Sequence, residues 1–489
     1  MPALPSMQPR VWHYFKQISA IPRASFQEKT VSDYIYHWAL SHDWECWQDD
    51  WHNVFIRKSA TPGMEQAPTI MLQAHLDMVC QKAAGVQHDF SKDAIRLIRE
   101  GDYITTGGTT TLGADDGIGV ALAMAVLEDD TIPHPELEVL LTTVEEDDMS
   151  GALHVDASMF HARYLLNLDN AVENQAINGS CGGYGVTSRW PVSREPASEG
   201  MTCVRIQLTG LPGGHSGEDI HRGRGNAIGL LTRILLLLYC QFRWQLVSLT
   251  GGTFRLAIPR EAEAVVALQP EKLESLTTML SKVTADLRNE YPLSAQTLQV
   301  TAATFPVEKK KILGLAETKK VLTLLSLLPD GIQEMNGTVP GVVQCSVNVG
   351  EVSLAETEDC VCIVSEIRAP WPAQVYSIFE KIRLVAELAQ GTCQSFAAYP
   401  GWPDKAVSPL ADLAKCVYQD VTGKPLQVQP QHTGLECGCL LQKKPGLDAL
   451  SMGPDCEFLH SPQERLSISS TNRMYQFLLK LLSRALELP

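Results

Sequence analysis

The sequence predicts an α/β fold in which one sheet-based domain is split by an inserted α+β domain. Three observations carry this. The chain has 489 residues, more than a single hydrophobic core usually supports. Its N-terminal third alternates apolar runs of strand length with runs of helical character. That rhythm stops near residue 187 and resumes near residue 397, with a different texture between. The expected organisation is therefore 1–187 and 397–489 as two parts of one domain, with 188–396 inserted.

In chain order, "TIMLQAHLDMV" is a continuous apolar run suited to a strand buried on both faces. "DDGIGVALAMAVLEDD" reads as a helix with acidic residues at its positive end. "PELEVLLTTVEE" and "ARYLLNLDN" are further strands, and the glycine-rich "NGSCGGYG" breaks the series. In the insertion, "VSREPASEGMTCVRIQLTGLPGGHSG" suggests an exposed strand and a loop. "GNAIGLLTRILLLLYCQF" and "PEKLESLTTMLSKVTADLRNEY" follow as helices, with the strands of "VSLTGGTFRLAIPREAEAVVAL" between them. "VQCSVNVGEVSLAETEDCVCIVSEIR" reads as a hairpin before the helix "PAQVYSIFEKIRLVAELAQ". From "YPGWPDKAVSPLADLAKCVYQDVTG" onward the α/β texture returns. The chain shows no internal sequence repeat and no low-complexity tract.

Composition narrows the function classes. Hydrophobic residues at 45% and charged residues at 20% describe an ordinary globular protein. A formal charge of −16 argues against a nucleic-acid partner, whose binders are basic over the contacting face. The thirteen cysteines are odd in number and irregularly spaced, as in reduced cytoplasmic proteins. Cys437 and Cys439 stand too close together for a usual zinc pair and read as buried, inert thiols. The opening "MPALPSMQPRVWHYFKQI" has no signal-type apolar core, and "IGLLTRILLLLYC" is too short for a membrane span and contains Arg233. A cytoplasmic protein with no membrane partner is expected.

The chemistry lies in acidic and imidazole residues placed just after apolar runs. His75 and Asp77 are two apart, so on a strand they share a face and Asp77 can orient the ring. Alone, that pair is matched by any surface histidine beside a solvated acid. Asp115 and Asp116 lie between Gly113 and Gly117 at a strand-to-helix turn, where one acid can face a ligand and the other cap the helix. Glu145 and Glu146 end an apolar strand. On extended chain they point opposite ways, so one can ligate metal while the other acts as a general base. Asp169 and His460 are unremarkable singly. Order and spacing change this. About thirty residues separate Asp115 from Glu145 and about twenty-three separate Glu146 from Asp169, room for a helix and a strand each time. The acids then collect at the carboxyl ends of one sheet, where open α/β folds bind ligands. Four carboxylates and two imidazoles meeting in a core need a cation.

These motifs, with "ISAIPRAS", "GGHSGEDIHRGRGNA", "AIPREA", "YPGW", "HTGLECG" and "HSPQERL", resemble the family of co-catalytic zinc aminopeptidases and dipeptidases that includes carboxypeptidase G2-like and carnosinase-like enzymes. The likeness spans nearly the whole chain and is strongest to the branch acting on aminoacyl-histidine dipeptides. It implies a split zinc-peptidase catalytic domain, a mixed sheet flanked by helices, with an inserted α+β lid and dimerisation domain. It also implies two zinc ions per subunit, replaceable by manganese or cobalt, and a homodimer. Asp115 would bridge the metals, His75 and Asp169 completing one site, Glu146 and His460 the other. Glu145 would be the general base and Asp77 the partner of His75. His215 would reach across the dimer to the partner's substrate carbonyl, and Arg368 would hold the substrate carboxylate. A short unblocked dipeptide such as β-alanyl-histidine is the implied substrate. A deacylase or tripeptidase with the same metals, or a binding protein that has lost turnover, are the alternatives. Leu256, Val144 and Asp148 depart from the family pattern without removing a ligand or the base.

Overall fold

The computed structural model describes residues 8–306 and 311–489. The first seven residues, where the segment without a signal-type core begins, lie outside the described residues. The chain divides into two compact units. One comprises Met1–Ser180, Trp402–Gln431 and Leu435–Pro489, and the other Cys181–Gly401 with His432–Gly434. The crossings fall at 180/181 and 401/402, several residues outside the expected 187 and 397. "NGSCGGYG" does not break the series. Its first half ends one strand and its second half begins another, so the boundary falls inside a run read as loop.

The split unit is built on an eight-stranded sheet. Its strands are β1 (Glu45–Gln48), β2 (Val54–Lys58), β3 (Ile70–His75), β4 (Leu137–Thr142), β5 (Tyr164–Asn167) and β6 (Gln175–Ser180). Two more come from the C-terminal segment, Gln427–Gln431 and Asp448–Ser451. β3 pairs in parallel with β4 and β5, and Asp448–Ser451 pairs in parallel with β5. Every residue of β3, β4 and β5 is buried, as their unbroken apolar runs require of strands covered on both faces. α1 (Pro9–Ser19) packs on α3 (Ala114–Leu127), with α2 (Lys29–Ser41) between them in sequence. Thirteen of the fourteen α3 residues are buried, which explains a helix apolar on all sides. A small four-stranded sheet of Ile98–Glu100, Tyr103–Thr105, Cys456–Glu457 and Arg465–Ser467 carries the segment that holds His460.

The inserted unit is a nine-stranded antiparallel sheet backed by four helices. In chain order it contains β7 (Gly182–Pro191), β8 (Thr202–Thr209), α4 (Ala227–Gln241), β9 (Gln245–Gly251), β10 (Ala262–Leu268), α5 (Leu273–Glu290) and β11 (Gln299–Pro306). There follow α6 (Leu315–Leu327), β12 (Val343–Leu354), β13 (Cys360–Ala369), α7 (Pro372–Leu388) and β14 (Thr392–Tyr399). The spatial order is β11-β8-β10-β9-β12-β13-β7-β14, with the short strand Gly331–Met335 paired beside β12. β8 alternates: Val204, Ile206 and Leu208 point into the core while Arg205 and Gln207 face out. The strand and loop expected there are both present, as β8 and the coil from Gly210 onward; a short strand, Arg194–Pro196, precedes them, and β8 is paired on both edges by β10 and β11. Asn226 caps α4, its side chain accepting from the N–H groups of Ile228 at 2.9 Å and Gly229 at 3.4 Å.

This unit does contain a repeat, of topology. β8-α4-β9-β10-α5-β11 and β7-α6-β12-β13-α7-β14 are both β-α-β-β-α-β, the first inserted between β7 and α6 of the second. An inward face demands only that alternate residues be apolar, so Val, Ile and Leu exchange freely and the repeat leaves no sequence trace. Between the halves, Arg255 Nε lies 2.9 Å from Glu366 Oε2, and the Glu366 side chain is wholly buried. Arg255→Ala strands that carboxylate and should cost about 3 kcal/mol of stability, read as a lower denaturant midpoint. A loss under about 0.5 kcal/mol, the range of ordinary surface substitutions, would contradict the pairing.

Candidate metal centre

The parallel strands β3, β4 and β5 end on one edge of the sheet. Their register sets His75 beside Thr142 and Gln73 beside Asn167. His75 is the last residue of β3, and Asp169 lies just past β5. Glu145 and Glu146 are not on extended chain as expected. Val144 adopts φ +59°, a left-handed conformation costly for a β-branched residue, and a turn follows it. The turn aims both glutamate N–H groups at one carboxylate. Glu145 N donates to Asp77 Oδ1 at 3.1 Å and Glu146 N to Asp77 Oδ2 at 3.1 Å.

Asp77 therefore does more than orient His75. It also accepts from Ser25 Oγ at 2.8 Å, and its Oδ1 lies 3.4 Å from His75 Nδ1. Burial pushes its pKa up, but His75, Ser25 and the Glu145 N–H outweigh this and hold it below the usual carboxylate range. The other ring nitrogen of His75, Nε2, lies 3.1 Å from Asp115 Oδ1. His460 Nε2 lies 3.2 Å from Asp115 Oδ2 and 3.1 Å from Glu146 Oε1. Each oxygen of one carboxylate thus faces a different imidazole. Ligand atoms of His75, Asp115 and Asp169 fall within 4.8 Å of one another, as do those of Asp115, Glu146 and His460. These are the two sets, sharing Asp115, that the family resemblance implied. Asp116 takes the other role open to the acid pair: its Oδ1 accepts from Gly119 N at 3.1 Å inside α3.

The donor set fits divalent metal. Glu146 Oε1 is buried and faces His460 Nε2 at 3.1 Å. Burial, reinforced by neighbouring carboxylates, raises the pKa of Glu145, Glu146 and Asp169. For His75 and His460 burial works the other way, yet hydrogen bonds to Asp115 and its neighbours prevail, and His460 is pushed up to about 11. Two imidazoles with three carboxylates suit zinc. A further grouping, Glu136, Glu138 and His161, is differently served: Arg57 lies 3.1 Å from Glu138, whose oxygens also accept from the N–H groups of His161 and Ala162.

Several supporting residues escaped the sequence reading. Glu464 gathers the backbone before α3, accepting from Leu112 N, Gly113 N and Ala114 N at 2.7, 3.1 and 2.8 Å. Arg23, buried, donates to Leu76 O and Asp77 O at 2.8 Å each and to Gly113 O. Gly113 has φ +66°, and a Cβ there would meet Arg23 Nη2 at 2.6 Å. Beneath the ligands, Glu436 Oε2 accepts from Gln73 Nε2 at 2.5 Å and Thr142 Oγ1 at 2.6 Å, while Asn167 Nδ2 donates to Gln73 Oε1 at 2.6 Å. Burial pushes Glu436 up to about 7. Cys437 and Cys439 are buried, and burial raises both thiols, which agrees with inert sulfur.

His215 and Arg368 belong to the inserted unit and meet there. Glu218 N donates to His215 Nδ1 at 3.2 Å, which puts the ring proton on Nε2. His215 Nε2 lies 3.4 Å from Arg368 Nη2. Arg368 is buried, with Ser216 Oγ at 3.3 Å and Tyr399 Oη at 3.4 Å, and makes no ion pair among the described residues. Glu366, two residues earlier, favours its charge from a distance but is itself paired with Arg255. His432 lies nearby, between Cys181 Sγ at 3.1 Å and Ser346 Oγ at 2.7 Å. Burial and Arg368 push it down to about 3, so it stays neutral. Leu256 acts through its backbone, its carbonyl accepting from Ser216 N at 2.8 Å.

A sheet edge presenting two imidazole–carboxylate sets bridged by one aspartate defines a dinuclear metallohydrolase. Residues 206–294 match the peptidase dimerisation domain model. The chain is 36% identical over 478 residues to the cytosol non-specific dipeptidase of Escherichia coli, covering 98% of this chain and 97% of that one. The crystal structure of the aminoacylhistidine dipeptidase from Vibrio alginolyticus superposes with a TM-score of 0.85 at 34% identity, over 98% of this chain and 97% of that one. A tripeptidase from Staphylococcus aureus shares the fold at a TM-score of 0.61 and 13% identity, over 98% of this chain and 99% of that one. The chain belongs to the M20 family of metallopeptidases, the hydrolases its ligand motifs resemble. Among the described residues no helix is long and apolar enough to cross a membrane.

Two outcomes follow from the site. Each raised pKa named above, on His75, His460, Glu145, Glu146 and Asp169, favours a bound proton that a cation must displace. Metal uptake should therefore release protons and weaken as pH falls, measurable by calorimetry in buffers of different ionisation enthalpy. Uptake without proton release would contradict the arrangement. Glu436→Ala removes the short bonds from Gln73 and Thr142, leaving only the longer ones of Gln73 to Thr142 at 3.1 Å and Thr142 to Ala74 O at 3.2 Å, and should cost about 2 kcal/mol in denaturant unfolding, with Glu436→Gln recovering most of it. Equal losses in the two variants would count against the hydrogen-bonded role.

Proposed function

We propose that this chain is a cytoplasmic di-zinc dipeptidase acting on short unblocked dipeptides, Xaa-His such as β-alanyl-histidine among them, as a homodimer. The observation that carries the reading is the Asp115 carboxylate, with one oxygen toward each of two histidines. His75, Asp115 and Asp169 would hold one cation, and Asp115, Glu146 and His460 the other. When bound, two such ions polarise a peptide carbonyl and acidify water. Manganese or cobalt can serve in place of zinc. The substrate class and compartment are supported by the names of the Escherichia coli and Vibrio relatives, which cover nearly the whole chain.

The chain's own residues divide the remaining work. Glu145, buried beside the ligand set and raised in pKa, takes the proton of the attacking water and returns it to the leaving amine. Asp77 fixes the His75 ring and, through two N–H groups, the turn bearing Glu145. His215 Nε2–H donates to the oxygen that gains charge. Arg368, a buried cation among neutral side chains, binds the substrate carboxylate. That requirement favours substrates with a free C-terminus.

Metal analysis of the purified protein with a substrate panel tests this. Two divalent cations per chain and hydrolysis of free dipeptides are expected, with Glu145→Gln retaining metal while losing about 10²-fold or more in kcat. Hydrolysis confined to N-acyl amino acids would identify a deacylase instead, and a metal-free Glu145→Gln protein would remove Glu145 from the role of base.

A further inference from the structure

Among the described residues, two large apolar side chains are both exposed and carried on left-handed backbone, Phe26 and Phe458. Their exposures are 61% and 58%, and their φ angles +65° and +58°. Each property is unfavourable by itself. Left-handed backbone crowds the Cβ of any residue but glycine, and an exposed ring forgoes the burial that favours folding. Both properties together, at two separate places, call for a reason outside folding.

Both residues belong to the split unit, and both of their turns are fastened to its metal centre. Gln27 N donates to Ala24 O at 2.8 Å, closing a turn with Phe26 at its third position, where a positive φ selects glycine or asparagine. Ser25, just before it, donates to Asp77 Oδ2 at 2.8 Å, on the carboxylate that lies against His75. Glu28, just after it and buried, accepts at Oε1 from Phe26 N and from Val144 N, each at 3.0 Å. The Phe26 turn is thereby bonded to the turn that carries Glu145 and Glu146. Phe458 precedes His460 by two residues, on the loop between the paired strands Cys456–Glu457 and Arg465–Ser467. Ser461 Oγ donates to Phe458 O at 2.7 Å, and the Arg465 guanidinium lies 5.2 Å from the ring centroid. The ligand set is thus flanked by one ring on the His75 and Glu145 side of the chain and one on the His460 side.

We infer that Phe26 and Phe458 form the subsite that receives the side chain of the substrate's N-terminal residue and discriminate by its apolar bulk. The inference rests on the dipeptidase reading above. The carbonyl to be attacked belongs to the N-terminal residue, whose Cα is bonded directly to the reacting carbon. The C-terminal Cα lies one bond further away, so the side chain nearest the ligands is the N-terminal one. Rings on turns already fixed by hydrogen bonds can bind that side chain with little further ordering. The apolar area they leave open is covered when substrate arrives, and there its transfer from water becomes favourable.

Phe26→Gly and Phe458→Gly test this, because glycine removes the ring and suits a positive φ. The measurement is the ratio of kcat/KM for leucyl-glycine to that for alanyl-glycine, peptides that differ only in the N-terminal side chain. Each variant should lower the ratio about fivefold or more, chiefly through KM. Metal content should match the wild-type protein, and the denaturant midpoint should not fall, since glycine relieves the backbone. An unchanged ratio in both variants overturns the inference. Loss of metal or of stability, with the two peptides slowed equally, makes the rings structural and overturns it as well. A changed oligomeric state with an unchanged ratio assigns the rings to contact with a second copy of the chain, again overturning it. A metal-loaded wild-type protein that hydrolyses neither peptide refutes the dipeptidase reading itself, and the inference falls with it.

Discussion

Asp115 faces one imidazole with each carboxylate oxygen, and the surrounding structure is arranged to keep it there. Bringing Glu145, Glu146, Asp169 and Asp115 into a core is unfavourable by several kcal/mol per ion unless positive charge joins them. Two protonated imidazoles compensate in part, and divalent metal does so fully. The constraint acts on geometry as well as charge. A carboxylate shared between two sites must present its oxygens in opposite directions, so the backbone at Asp115 has little freedom. This explains why a glycine at φ +66° precedes it by two residues, and why Glu464 collects three successive N–H groups at 2.7–3.1 Å just before it.

The same logic orders the layer beneath the ligands. Gln73, Thr142 and Asn167 sit at or just before the ends of three adjacent strands, and Glu436 closes the network from a separate helix. Polar side chains in the middle of a parallel sheet are costly unless they bond one another. Once bonded, they fix the relative height of β3, β4 and β5. His75, Glu146 and Asp169 lie at or within a few residues of the ends of those strands, so the strand register sets their relative positions. Asp77 extends this to the turn after β4, where two N–H groups and a ring nitrogen converge on one buried carboxylate. Strand ends and the short turns anchored to them hold these groups.

His75, Asp115, Glu145, Glu146, Asp169 and His460 were legible in the sequence through their joint order and spacing, each being unremarkable alone. The supports were hidden for a physical reason. Glu464 and Arg23 act on backbone atoms, and backbone atoms carry no residue type to recognise. Glu436 meets Gln73 across 363 positions of chain. The turn at Glu145 was misread because it depends on a positive φ at Val144, and nothing local predicts that of a β-branched residue. "NGSCGGYG" looked like a loop, yet its glycines lie in strands. A Cβ on Gly183 would stand 2.3 Å from the Tyr399 ring, so the residue is small because an aromatic covers it. The repeated topology of the inserted unit was invisible for a related reason, since two sheets of one shape share only a pattern of inward apolar positions.

That repeat changes how His215 and Arg368 are held. His215 Nε2 and Arg368 Nη2 lie 3.4 Å apart, a spacing kept only if both side chains are fixed beforehand. If they came from separate subunits, their alignment would depend on association, and dilution would separate them. On one chain the two halves meet at an effective concentration set by the intervening segment, in the millimolar range for short flexible links and independent of protein concentration. Arg255 with Glu366 and Asn348 with two carbonyls then lock the seam with buried contacts that punish any slip of register.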